Sequence, residues 1–129
     1  MSRILVIQPH RMLQQAFVVA LFPEHEVRVE AEMPAAETLA AADLLIIDAM
    51  ALRKGDALSP REIHAVQRSQ VPVVWIDAEA PPAAVAKFVR LEPPLKRDEL
   101  RAATGEGLRL GAAAPVAACL PPASWTPPS

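Results

Sequence analysis

A chain of 129 residues with 52% hydrophobic side chains can fill one domain core, and with no Tyr, three Phe and two Trp that core must be aliphatic. The formal net charge of −2, with acids and bases interspersed, leaves no basic stripe to collect phosphate backbones, which argues against a nucleic-acid partner. One cysteine (Cys119) allows no internal disulfide, no apolar run approaches membrane-spanning length, and the residues before the first aliphatic run are too few for a signal peptide, so a cytoplasmic protein with no membrane contact is expected.

Residues 4–7 are all aliphatic and read as a buried strand, stopped by Pro9, which has no N–H to donate. From His10 the period changes. Leu13, Ala16, Phe17, Ala20 and Leu21 share a helical face opposite Arg11, Gln14 and Gln15, and Pro23 closes the helix. Residues 26–30 alternate polar and apolar, the pattern of a half-exposed strand near a sheet edge. Residues 34–42 are Ala-rich behind Pro34 and predict a short helix.

In residues 43–50, Asp43 and Asp48 bracket four aliphatic side chains, which suits a strand buried on both faces and delivers Asp48 to its carboxyl end. A loop carrying Arg53, Lys54 and Gly55 follows. Ser59, Pro60 and Glu62 then form a helix start, with a Ser cap, Pro in the first turn and a Glu able to return a hydrogen bond. That helix runs to about Ser69 with Ile63, Val66 and Gln67 turned inward. Residues 71–76 read as a strand ending at Asp77, with Trp75 in the core, while His25 and His64 are expected in solvent.

After Asp77 the pattern weakens. Pro81 and Pro82 interrupt it, residues 83–88 leave room for only a turn or two of helix, and residues 89–91 read as a fifth short strand. Residues 97–103 form a last helix that Gly105 and Gly107 are expected to end. The expected division is a folded domain over 1–105 and an Ala/Pro-rich tail or linker over 106–129, which holds Trp125. Alternating strands and helices predict an α/β fold with a doubly wound parallel sheet. Ligands in such sheets bind outside the carboxyl ends of the strands.

This pattern resembles the receiver domain of two-component response regulators, the chemotaxis-regulator-like family, over residues 3 to about 104. Residues 4–7 match its first strand, residues 43–48 its phosphoacceptor strand and residues 71–76 its fourth. Pro94 and Leu95 with Glu99 and Leu100 match its closing motif. The resemblance implies a flavodoxin-like five-stranded sheet in the order 2-1-3-4-5, here with a shortened fourth helix. It places Asp48 where receivers accept a phosphoryl group from a histidine kinase.

The resemblance also implies a set of assistants, and here they are replaced. A carboxylate attacking an anionic donor needs Mg²⁺, which receivers hold with two acids after the first strand; those positions are Gln8 and Pro9. The hydroxyl that receivers carry after the fourth strand is Asp77, a like charge to the phosphoryl group. The Lys before the closing Pro is Pro93.

The expected function is therefore a pseudo-receiver acting as a phosphorylation-independent interaction or regulatory module in bacterial signalling. Its partner would be another signalling protein (a kinase, regulator or output domain) or a second copy of itself. One alternative is a working receiver phosphorylated on Asp48 with Mg²⁺. The other is a small domain holding a metal or metabolite at the strand ends, with His10, Asp48 and Asp77 as the candidate ligands for Zn²⁺ or Mn²⁺. No Gly-rich phosphate loop and no nucleophile–base pair is visible, so neither an enzyme nor a resident cofactor is expected.

Overall fold

The central strand is Leu44–Asp48 (β3), in which every side chain is buried. The computed structural model describes residues 2–22, 24–53, 58–83, 85 and 87–112. Around β3 run Ser2–Ile7 (β1), His25–Glu30 (β2), Val73–Ile76 (β4) and Phe88–Leu91 (β5), all parallel, in the order β2-β1-β3-β4-β5. This is the strand order that the resemblance to receiver domains implies.

Because successive strand residues face opposite ways, the aliphatic runs divide into two cores. Ile4, Val6, Leu44, Ile46, Val74 and Ile76 meet the helices Arg11–Leu21 (α1) and Arg97–Ala112 (α5) on one face. Leu5, Ile7, Leu45, Ile47, Val73 and Trp75 meet the helices Ala36–Ala40 (α2) and Pro60–Ser69 (α4) on the other. Trp75 is core, as expected.

The start of α4 is as the sequence predicts: the Ser59 hydroxyl accepts from the Glu62 N–H at 3.2 Å, and the Glu62 carboxylate accepts from the Ser59 N–H at 2.9 Å. Of its expected inward residues, Val66 is buried and Ile63 partly so, but Gln67 is exposed.

The structure corrects three other local expectations. Residues Ala49–Arg53 form a short helix (α3) in place of the predicted loop. The Asp48 carboxylate accepts from the Ala51 N–H at 3.1 Å, and the good helix formers Ala49, Met50, Ala51 and Leu52 do the rest. On α1, Leu13 and Ala16 are exposed, because the inward face runs through Gln14, Phe17, Ala20 and Leu21. Gln14 is drawn in by the free end of β1: its Nε2 donates to the Gln8 carbonyl at 2.6 Å.

The third correction concerns α5, which continues through Gly105 and Gly107 to Ala112. Gly107 is a packing residue here: a Cβ at that position would lie 2.6 Å from Leu44 Cδ1. Between β4 and β5 the described residues are bends, one turn and irregular chain, and the turn or two of helix expected over residues 83–88 falls partly outside the described residues. The expectations resting on Pro23, Lys54, Gly55, Cys119 and Trp125 lie outside the described residues.

The two glycines should respond oppositely to alanine. Gly105→Ala meets nothing closer than 3.7 Å and should stabilise the fold by about 0.5–1 kcal/mol through helix propensity. Gly107→Ala gains the same propensity but presses on the fully buried Leu44 side chain, which must shift within the packed core. Overpacking of about 1–3 kcal/mol should outweigh the gain. Urea unfolding of both variants checks this.

Candidate functional site

The carboxyl ends of β1, β3 and β4 bring Gln8, Asp48 and Asp77 to one edge of the sheet, all three buried, at 0%, 7% and 2% exposure. Pro9 is half-buried beside them and His10, the N-cap of α1, is exposed. Pro93 lies after β5, half-buried, in a cis Pro93–Pro94 unit. No ammonium group reaches the edge from Pro93, and Lys96 nearby is exposed.

The polar groups at this edge are satisfied mainly by one another. Gln8 Nε2 donates to Asp48 Oδ2 at 2.5 Å, and Gln8 Oε1 accepts from the His10 N–H at 3.1 Å. The main chain of Gln8 is held as well, its N–H donating to the Glu30 carbonyl and its carbonyl accepting from Gln14. The other Asp48 oxygen accepts from the Ala51 N–H. Asp77 Oδ1 accepts from the Ala78 N–H at 2.7 Å, and the Asp77 N–H donates to the Leu91 carbonyl at 3.2 Å.

This arrangement has chemical consequences. Both oxygens of Asp48 already accept a hydrogen bond, one from a side-chain amide and one from the start of α3. An amide N–H donor stands against the carboxylate on the β1 side. Hard divalent cations take oxygen ligands, and the one oxygen Gln8 offers is turned to His10. Among the described residues no group of three His, Cys, Asp or Glu side chains converges to hold a metal, so His10 is not joined to Asp48 and Asp77 in such a cluster.

Gln14 belongs to this site, although the apolar spacing of α1 predicts it on the opposite helical face. The available signal was its i, i+3 relation to Phe17, which puts both on one stripe. His25 is expected in solvent. It instead opens β2, half-buried, with Nδ1 buried and without a partner. His64 is exposed, as expected.

No protein-family model and no curated protein matches the chain. Solved structures do. The N-terminal domain of a response regulator/sensory box/GGDEF three-domain protein from Carboxydothermus hydrogenoformans aligns with a TM-score of 0.62 at 16% identity, over 86% of this chain and 97% of that one. The chemotaxis protein CheY4 of Vibrio cholerae aligns with a TM-score of 0.61 at 18% identity, over 82% and 98%. A putative pilus assembly-related protein from Burkholderia pseudomallei aligns with a TM-score of 0.64 at 19% identity, over 85% and 91%. At these identities the likeness establishes the fold: the chain has the receiver-domain architecture.

Two predictions concern the buried polar groups. Gln8→Leu removes the donor from a buried carboxylate and should cost about 1.5–3 kcal/mol at neutral pH. Urea unfolding of this variant beside the unaltered chain at neutral pH checks this.

Burial holds the His25 imidazole below its ordinary pKa of 6.5, partly offset by the Glu24 carboxylate. The folded value lies below the unfolded one, so the unfolded chain takes up the proton first. The stability from neutral His25 is therefore whole above about pH 6.5 and lost as pH falls through the folded value. His25→Gln should flatten this slope, measured as the urea midpoint at about pH 7.5 and about pH 5.

Proposed function

We propose that this receiver-fold domain is a protein–protein interaction module in bacterial signal transduction that works without phosphorylation of Asp48. The observation that carries the reading is the Gln8 amide hydrogen-bonded to Asp48. Phosphoryl transfer to a carboxylate needs a cation beside it, to neutralise donor oxygens and hold the line of attack. In this chain a neutral N–H donor stands against that carboxylate, its own amide oxygen held by the His10 N–H, and Asp77 adds a second buried acid at the next strand end.

Removing one preorganised stabiliser of a charged transition state typically costs about 10²–10³ in rate. With neither an acid pair after β1 nor a cation at Pro93, such losses multiply, and Asp48 is left with a structural role. It caps α3 and joins β3 to β1. The module then acts through its surfaces as a cytoplasmic adaptor with no catalytic turnover and no resident cofactor. Its partner is another signalling protein or a second copy of itself.

The test is incubation with Mg²⁺ and acetyl phosphate or beryllofluoride, read by intact mass and by amide spectra. The expected result is an unmodified mass and unchanged spectra. Stoichiometric phosphorylation, abolished by Asp48→Ala, would overturn the proposal in favour of a working receiver.

A further inference from the structure

β2 is an edge strand: β1 pairs with one side of it, and among the described residues no strand pairs with the other. The parity of its hydrogen bonds is fixed by the Gln8 N–H, which donates to the Glu30 carbonyl at 2.9 Å. Glu26, Arg28 and Glu30 therefore turn their main-chain groups toward β1, and His25, Val27 and Val29 turn theirs to the open edge. The side chains divide likewise. Val27 and Val29 pack beneath α1, while Glu26 and Arg28 lie on the other face, where with Arg3 they line a shallow cleft of about 160 Å³.

Edge strands are usually blunted by charge so that they do not pair with other chains. Here the charges select one pairing. An antiparallel two-fold joint centred on Arg28 would set Arg28 against Arg28 and Glu26 against Glu30. A joint centred on Val27 sets Glu26 of each copy against Arg28 of the other. It also brings the outward N–H and C=O groups of Val27 face to face and those of His25 opposite Val29. The existing ion pairs Arg3–Glu26 (3.6 Å) and Arg28–Glu30 (3.0 Å) are exposed and cost little to rearrange.

We propose that the open edge of β2 is a self-association surface, occupied by β2 of a second copy in antiparallel register about Val27. The two-fold axis is then perpendicular to the sheet, so both α1 helices stand on the same face and flank the joint. There α1 carries an exposed apolar side chain, Val19, at 69% exposure. Between α1 and β2 runs an open groove of about 530 Å³, lined by Arg11, Gln15, Val18, Val19 and Val29 among others. The second copy's α1 covers it. β5, the opposite edge, has only Arg90 as a charge and no self-complementary pattern.

This surface uses none of the groups around Asp48, and the inference stands apart from the reading of that site. Sedimentation equilibrium of the full chain should show a reversible dimer. Val27→Pro removes an outward N–H without breaking the β1–β2 ladder, and should raise the dissociation constant at least about tenfold. Arg28→Glu places like charges opposite each other and should do the same. The double exchange Glu26→Arg with Arg28→Glu recreates the pairing and should return the constant to within a few-fold of the starting value. The exchange variants keep the test valid if Val27→Pro disturbs the fold. A monomer at every attainable concentration would overturn the proposal, as would a dimer indifferent to Val27→Pro and Arg28→Glu.

Discussion

The hydrogen bond from Gln8 to Asp48 is the constraint from which the upper edge of this molecule follows. A buried carboxylate must be compensated, and the compensation chosen decides what chemistry remains available. A divalent cation would leave an electrophilic centre open to an incoming phosphoryl group. A side-chain amide satisfies the same carboxylate oxygen and leaves no such centre. The amide is itself held at Oε1 by His10 and through its main chain by Glu30 and Gln14, so its position is set by four different partners including Asp48. Each of these bonds is modest alone, and together they fix one arrangement in the interior, where an unmade bond is costly.

The fold supports this edge from below. β3 is buried along its whole length between β1 and β4, and its two sets of alternating aliphatics belong to two separate cores. That arrangement demands close approach on both faces. On the α5 side it requires Gly107 over Leu44, and on the other it uses Leu39 of α2 and Val66 of α4 against the sheet. Asp48 ends this strand and begins α3, so one carboxylate joins a sheet, a helix start and the first strand's amide.

Much of the architecture was legible in the sequence because period and burial agree there. The four aliphatic residues of β3 and the Ser59–Glu62 box read directly, since each depends on local chemistry that tertiary structure did not override. The misreadings share a cause of the opposite kind. Gly105 and Gly107 look like helix stops by propensity, but Gly107 answers to a strand more than sixty residues away in sequence. The apolar count on α1 placed Leu13 and Ala16 inward. The inward stripe instead includes Gln14, because a polar side chain met the β1 carbonyl there.

At the site, the identity of the substituted residues was visible, but the bond between Gln8 and Asp48 was not, because it spans forty residues and depends on strand register. What distinguishes this edge from a metal-bearing one is thus a side-chain contact, and it has a direct spectroscopic handle. A titration with Mg²⁺, followed through the Gln8 side-chain amide protons and the Ala49 and Ala51 backbone amides, reports on it most closely. These signals should stay fixed up to millimolar metal, with the Gln8 amide protons slow to exchange. A saturable shift of all three, lost in Asp48→Ala, would show that a cation displaces the amide and would contradict it.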